Sequence, residues 1–345
     1  MQKLAKLSFK PTVPAYRGQV VEVELGATRA EGGSRSRVIK IGGERTLPYC
    51  RFEGSTPFRP AVALDVFDMP IHLPEPVREH YKDVLEDPAA WAKLCVDKFG
   101  ADLVTIHLIS TDPGLKNTPS QEAAKTVEEI LQAVDVPVII GGSGNKQKDP
   151  LVLAKAAEVA EGERCMLSAA APDLNYRTIA EAAKKHGHVV LSLTPLDVNN
   201  QRRLNRALLS SGVPKNCIVM DPTTAALGYG IEYTFSVMER IRLAALKGDE
   251  TLQMPMSSGT TNAWGAREAW LKAPELGPRK HRGPLWEAVT ALTLLLAGCD
   301  LFMMMHPTAV KTLFETVDAL MNVPSPEDIA TFQVGDWVKM KVGVA

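Results

Sequence analysis

From residue 61 onwards, short apolar runs alternate with longer amphipathic stretches. The runs are Ala61–Val66, Leu103–Ile109, Val136–Ile140, Met166–Ala170, Val189–Leu193, Cys217–Met220, Thr251–Met256 and Leu301–Met305, eight in all. Segments apolar at nearly every position suit parallel strands buried on both faces. Between them, Ser120–Val134, Leu151–Ala160, Asn175–His186 and Tyr233–Leu246 carry helical periodicity. Pro119-Ser120-Gln121-Glu122 and Asp149-Pro150 read as helix starts, and Gly187 as a helix stop. Eight β-α repeats with short connections predict a TIM (β/α)8 barrel. A doubly wound open sheet is the alternative, but no strand is followed by G-x-G-x-x-G. Gly141-Gly142-Ser143-Gly144 comes nearest, with the wrong spacing.

Residues 1–59 stand outside the repeat. There Val20–Leu25 and Arg37–Ile41 alternate apolar and polar positions around a Gly/Ser/Arg-rich turn, which predicts an N-terminal β-hairpin extension. Such a hairpin either covers the N-terminal mouth of the barrel or meets a partner. The barrel is expected over 60–322. A tail over 323–345, ending in Asp336-Trp337-Val338-Lys339-Met340-Lys341-Val342, reads as a short strand or an exposed peptide.

Composition narrows the function classes. The 345 residues carry 39 Lys plus Arg against 40 Asp plus Glu, so no basic footprint points to nucleic acid or an anionic membrane. The longest apolar stretch, Ala288–Cys299, is too short to span a bilayer and reads as a buried helix. Met1–Pro11 has three lysines and no apolar run of signal-peptide length. The five cysteines, Cys50, Cys95, Cys165, Cys217 and Cys299, are scattered, with no CxxC spacing. These features predict a reduced, cytoplasmic chain that binds no iron–sulfur cluster by itself.

Chemistry in a barrel of this kind belongs at the C-terminal strand ends. In order these offer Asp65 and Asp68, His107 and Ser110, Gly142-Ser143-Gly144-Asn145, and Ala171-Pro172-Asp173. Then come Thr194-Pro195 with Asn199-Asn200, Asp221-Pro222-Thr223-Thr224, Ser257-Ser258-Gly259-Thr260-Thr261-Asn262, and His306-Pro307-Thr308. Hydroxyls, amides and glycines dominate, which suits a large polar ligand bearing amide groups. No strand ends in the lysine a Schiff-base aldolase needs. His107, His306 and Asp221 are a conceivable metal set, although no strand carries His-x-His. Asp65 and Asp221 match a glycosidase only by residue type. Asp65 otherwise reads as a buried acid bonded to backbone or arginine, Asp221 as a turn cap, and Met303–Met305 as core filling. His306 reads equally as structural or ligand-facing. Ser257–Asn262 reads either as a late-strand phosphate loop or as a polar surface loop.

Three longer segments carry a resemblance. Asp221-Pro222-Thr223-Thr224-Ala225-Ala226-Leu227-Gly228-Tyr229-Gly230-Ile231-Glu232-Tyr233 runs on into Met238-Glu239-Arg240-Ile241-Arg242. With Ala63–Asp68 and Leu193–Gln201, it resembles the small subunit of the corrinoid/iron–sulfur protein, the delta subunit family of the acetyl-CoA decarbonylase/synthase complex. The resemblance covers about residues 55 to 322. It implies a TIM barrel paired with a large subunit that carries a [4Fe–4S] cluster and a corrinoid-binding domain, the corrinoid lying between that domain and the barrel mouth. It further implies transfer of a methyl group from a methyl-tetrahydropterin, through a methyltransferase, to acetyl-CoA synthase in the reductive acetyl-CoA pathway. CO dehydrogenase/acetyl-CoA synthase is then a further partner, and this chain is a non-catalytic or co-catalytic subunit. On strand-end placement, Thr194, Asn199, Asn200, Thr223, Thr224, Ser257, Thr260, Thr261, Asn262 and His306 are the expected corrinoid contacts. The alternatives are a stand-alone pterin-binding barrel methyltransferase and a structural partner subunit without cofactor contact.

Overall fold

A computed structural model describes residues 13–50 and 53–322; the expected tail over 323–345 lies outside them. Strands β1 (Glu22–Leu25) and β2 (Ile39–Gly42) pair antiparallel as the N-terminal hairpin. Eight parallel strands follow: β3 (Ala61–Phe67), β4 (Leu103–His107), β5 (Val138–Gly141), β6 (Met166–Ala170), β7 (Val189–Leu193), β8 (Ile218–Asp221), β9 (Met256–Gly259) and β10 (Cys299–Met304). They close in sequence order, with β10 pairing both β9 and β3.

Helices α1 (Glu75–Tyr81) and α2 (Pro88–Asp97) fill the first connection. Single helices follow as α3 (Ser120–Ala133), α4 (Asp149–Val159), α5 (Tyr176–His186), α6 (Val198–Ser210) and α7 (Ile231–Leu246). The short α8 (Arg267–Trp270) precedes α9 (Arg279–Leu296), and α10 (Pro307–Met321) completes the ring.

Six of the eight expected strands differ at their ends. β3 runs one residue further, to Phe67, and β10 spans Cys299–Met304 in place of Leu301–Met305. The other four shift for a local reason. Pro137 and Pro255 have no N–H to give a ladder, so β5 and β9 begin at the next residue. The expected seventh strand over Thr251–Met256 is therefore displaced. Glu250–Leu252 instead forms a 3-10 turn whose Asp249 side chain accepts from Thr251 N–H. Leu103–Ile109 stops at His107, before a second 3-10 turn at Ile109–Thr111. Cys217 likewise ends a 3-10 turn, and β8 starts at Ile218.

Side chains on a strand alternate between faces, so each strand feeds two cores. Outward residues such as Val62, Leu64, Val104, Ile106, Ile140 and Val190 pack under the helices. Inward residues Ala61, Ala63, Leu103, Ile139, Met166, Val189, Val219 and Leu301 form a second cluster, joined by Val23, Leu25 and Ile41 of the hairpin. The hairpin thus plugs the lower end of the barrel. Gly42 permits the plug to seat: its φ is +86°, and a Cβ there would lie 2.2 Å from the Val21 carbonyl oxygen.

An ionic cluster ties the plug to the closing strand. Arg242 of α7 donates to Glu44 at 2.6 Å, to the Gly298 carbonyl at 2.6 Å and to Asp300 of β10 at 3.0 Å. Asp300 also accepts the Met256 N–H of β9 at 2.7 Å. Removing one member of a buried ionic group leaves its partners as uncompensated charges. Arg242→Ala should therefore destabilise the chain by about 3–5 kcal/mol, read from urea denaturation at neutral pH. A loss below about 1 kcal/mol, the range of exposed ion pairs, would mean that Glu44 and Asp300 do not depend on Arg242.

Candidate functional site

The inward positions above the apolar interior change character. Alternation continues β3 from Ala63 to Asp65, β4 from Leu103 to Thr105 and His107, and β8 from Val219 to Asp221. Asp65 and Asp221 are only 1% and 4% exposed. A buried carboxylate demands donors. Asp65 accepts from the Thr261 hydroxyl, and its other oxygen lies 3.1 Å from His107 Nε2. That contact is off-line for a hydrogen bond, and neither atom has another polar partner. The His107 ring stacks on Phe67 at 4.9 Å between centroids. The expected backbone or arginine partner of Asp65 is thus a histidine and a threonine.

Asp221 accepts the Thr223 N–H at 2.8 Å, while the Ser257 hydroxyl stands 3.5 Å from its second oxygen. Burial pushes its pKa up to about 7, against the pull of those two donors. Thr223 holds φ at +66°, a left-handed conformation that a β-branched residue rarely takes. Its hydroxyl donates to the Thr194 carbonyl at 2.9 Å, which pins the turn across two strand ends.

The expected contact residues separate into buried and accessible groups. Thr194 faces outward toward α6, where its hydroxyl donates to Gln201 at 2.7 Å. Thr224, Ser258 and Thr260 share a buried chain of hydroxyls with 2.8 Å links. Ser257 is inward and buried because β9 begins late. His306 caps α10, accepting the Thr308 N–H at 3.1 Å, and its ring stacks on Trp264 and meets His80 edge-on. Burial lowers its pKa to about 4. Asn199, Asn200, Thr223, Thr261 and Asn262 keep accessible surface at the mouth. Asn262 donates to the Thr224 carbonyl at 3.0 Å, and Asn199 accepts from Arg202 at 2.8 Å.

Two possible phosphate sites are otherwise occupied. In the glycine loop after β5, Asp149 of α4 accepts from the Ser143 N–H, the Ser143 hydroxyl and the Gly144 N–H. A carboxylate of the protein fills that nest. After β9, the Thr261 hydroxyl points at Asp65, which sets negative charge where a phosphate would go. No three His, Cys, Asp or Glu side chains converge as a metal-binding group among the described residues. His107, His306 and Asp221 accordingly do not form one.

Two features of this end were not anticipated. Glu287 of α9 is fully buried and accepts the Met305 and His306 N–H groups at 2.6 and 3.0 Å, with burial raising its pKa to about 7. Beside the mouth lies a cavity of about 680 Å³ walled by Ile71, Leu73, Trp264, Trp270 and Met305, with Arg78 at its edge. An apolar helix pattern around Glu287 gives no hint that it caps two strand-end amides.

The family model of the CO dehydrogenase/acetyl-CoA synthase delta subunit matches residues 22–273. The chain belongs to this family. It is 55% identical to the acetyl-CoA decarbonylase/synthase complex subunit delta of Archaeoglobus fulgidus, over 99% of this chain and 76% of that one. Identity to the delta subunit of Methanocaldococcus jannaschii is 53%, over 98% of this chain and 83% of its relative. The delta-family match starts at β1, so the hairpin is part of the shared sequence, although the resemblance read from motifs began near residue 55. Among solved structures, a Xanthomonas albilineans dihydropteroate synthase with 4-aminobenzoic acid superposes with a TM-score of 0.56, at 17% identity, over 88% of this chain and 100% of that one. At that identity the likeness speaks for the barrel fold alone. No helix among the described residues is long and apolar enough to cross a membrane.

The raised pKa of Asp221 sets a pH dependence. Its unfolded value is 3.8 and its folded value about 7, so the folded chain holds the proton across that window. The stability this gives is present below the lower value and is lost as pH rises to the upper one. At about 1.4 kcal/mol per tenfold in proton affinity, the loss is on the order of 4 kcal/mol. Asp221→Asn should remove this part of the pH slope when urea midpoints are compared at acid and neutral pH. Parallel slopes in the two proteins would refute the assignment. Glu287 titrates identically in both and cancels.

Proposed function

We propose that this chain is the barrel half of a two-chain corrinoid/iron–sulfur methyl carrier within an acetyl-CoA decarbonylase/synthase complex. Its membership in the delta-subunit family is the observation that carries the reading. In this proposal the partners are a large subunit bearing the iron–sulfur cluster, a methyl-tetrahydropterin methyltransferase, and CO dehydrogenase/acetyl-CoA synthase. The five cysteines are scattered with no CxxC spacing, so in this proposal the cluster belongs to the large subunit and the chain works in the cytoplasm.

The residues at the mouth fit a corrinoid. Its periphery is rich in neutral primary amides, which need donors and acceptors without net charge. Asn200, Thr223, Thr261 and Asn262 supply such groups on accessible surface. The carboxylates of Asp65, Asp221 and Glu287 are withdrawn beneath them. Inward-facing Gly141 keeps the floor low, because a Cβ there would lie 3.1 Å from the Ile106 carbonyl and 3.4 Å from His107 Nδ1.

When bound, the corrinoid supplies the cobalt that accepts and releases the methyl group. The task of this chain is to orient and shield. Thr223 and Asn262 are fixed by hydrogen bonds to the Thr194 and Thr224 carbonyls, so they meet a ligand in set positions. The hairpin plug closes the barrel below, leaving the mouth as the solvent side of the interior. Buried Thr194, Thr224, Ser257, Thr260 and His306 then support the rim, and the accessible members of the set make the contacts.

The chain should be purified alone and with its co-expressed large subunit, then tested by visible absorption and by methyl transfer from a methyl-pterin to added corrinoid. Colour confined to the complex, with no transfer by the lone chain, is expected. Transfer by the lone chain would make it a methyltransferase. An active complex in which Thr223→Ala and Asn262→Ala leave corrinoid retention unchanged would leave those two residues no part in binding.

A further inference from the structure

His107 is the one titratable side chain of the inward layer that is both braced from below and open above. Its side chain is 29% exposed, whereas that of its neighbour Asp65 is buried. Nε2 is buried and faces the Asp65 carboxylate at 3.1 Å. Phe67 stacks on one face of the ring, and Thr261 holds the far oxygen of Asp65. Strand register adds a further constraint, because His107 pairs with Gly141 of β5 and the missing side chain there leaves the ring's other edge free. Nδ1 makes no hydrogen bond among the described residues and lies on that free edge, 3.4 Å from where a Gly141 Cβ would stand.

A carboxylate only accepts, and its charge 3.1 Å from Nε2 favours the Nε2–H tautomer even though the contact is off-line for a hydrogen bond. The lone pair is then left on Nδ1, on the Gly141 side of the ring. Of the rim groups, the Thr223 hydroxyl and the Asn262 amide already donate to carbonyls, and the Thr261 hydroxyl to Asp65. The ring therefore offers a rigid, uncharged acceptor to whatever closes the barrel. Its natural complement is a neutral N–H donor. An anion is repelled by the carboxylates beneath, and a hydrocarbon would leave the nitrogen unpaired.

We propose that His107, positioned by Asp65, accepts an N–H of a primary carboxamide arm of the corrinoid through Nδ1. This rests on the carrier reading and adds a contact that the strand-end hydroxyls and amides do not include. Asp65 acts through His107 and is a positioning residue: its carboxylate fixes which nitrogen carries the proton.

The test titrates hydroxocobalamin into the corrinoid-depleted two-chain complex and follows the visible spectrum. His107→Phe keeps the ring stacked on Phe67 but removes the acceptor, and should weaken retention about tenfold, the worth of one hydrogen bond. His107→Gln restores an amide oxygen and should recover most of the loss. Asp65→Asn can present an N–H to Nε2, which reverses the tautomer, and should weaken retention as His107→Phe does. The band positions of bound corrinoid should be the same in all four proteins. Equal retention by all four overturns the proposal. So does a band shift on replacing His107, which would mean that Nδ1 sits on cobalt. Should His107→Phe fail to pair with the large subunit, the ratio of His107→Gln to Asp65→Asn decides: a ratio near one overturns the proposal. An unmutated complex that takes up no corrinoid overturns the carrier reading itself.

Discussion

Closure of the barrel rests on Arg242. Its guanidinium joins the segment that follows the hairpin, through Glu44, to β10, through Asp300 and the Gly298 carbonyl. Asp300 in turn fixes the first amide of β9. One side chain thus sets the position of the plug, the last strand and the strand before it. Buried ionic groups of this kind add little net stability compared with apolar packing, and their worth lies in admitting one arrangement. Here that arrangement places β9 so that Ser257 faces Asp221 and Thr261 faces Asp65. The lower end of the barrel therefore governs the geometry of the upper end through strand register.

Much of the fold was legible because it depends on local periodicity. Runs such as Val189–Leu193 and Met166–Ala170 are apolar on both faces, and their boundaries are those of the strands. The hairpin was legible for the same reason. Misplacement occurred where a proline intervened: β9 begins after Pro255, five residues beyond the expected start at Thr251. That shift turns Ser257 from a loop residue into an inward strand residue.

The site was less legible because it is decided by parity and by neighbours across the sheet. Thr194 stands at a strand end, as expected, but it shares the outward face of Ser192 and bonds to α6. Asp65 and His107 are 42 positions apart in sequence, and only the β3–β4 register brings them together. His306 lies at the end of the last strand as read, yet helix α10 needs a cap there and takes the ring's acceptor. Polar composition at the strand ends could identify a neutral mouth. It could not say which hydroxyls the protein spends on itself.

The hairpin plug has a kinetic consequence. With Val23, Leu25 and Ile41 packed against the inward strand residues, the lower barrel is filled and His107 is approached from the mouth. Solvent or a bound group that reaches His107 must arrive and leave by that same route. In the proposed two-chain carrier, a partner domain resting on the mouth would act as a stopper. Exchange at the ring nitrogen would then be timed by separation of the two chains, whatever the strength of the bonds inside.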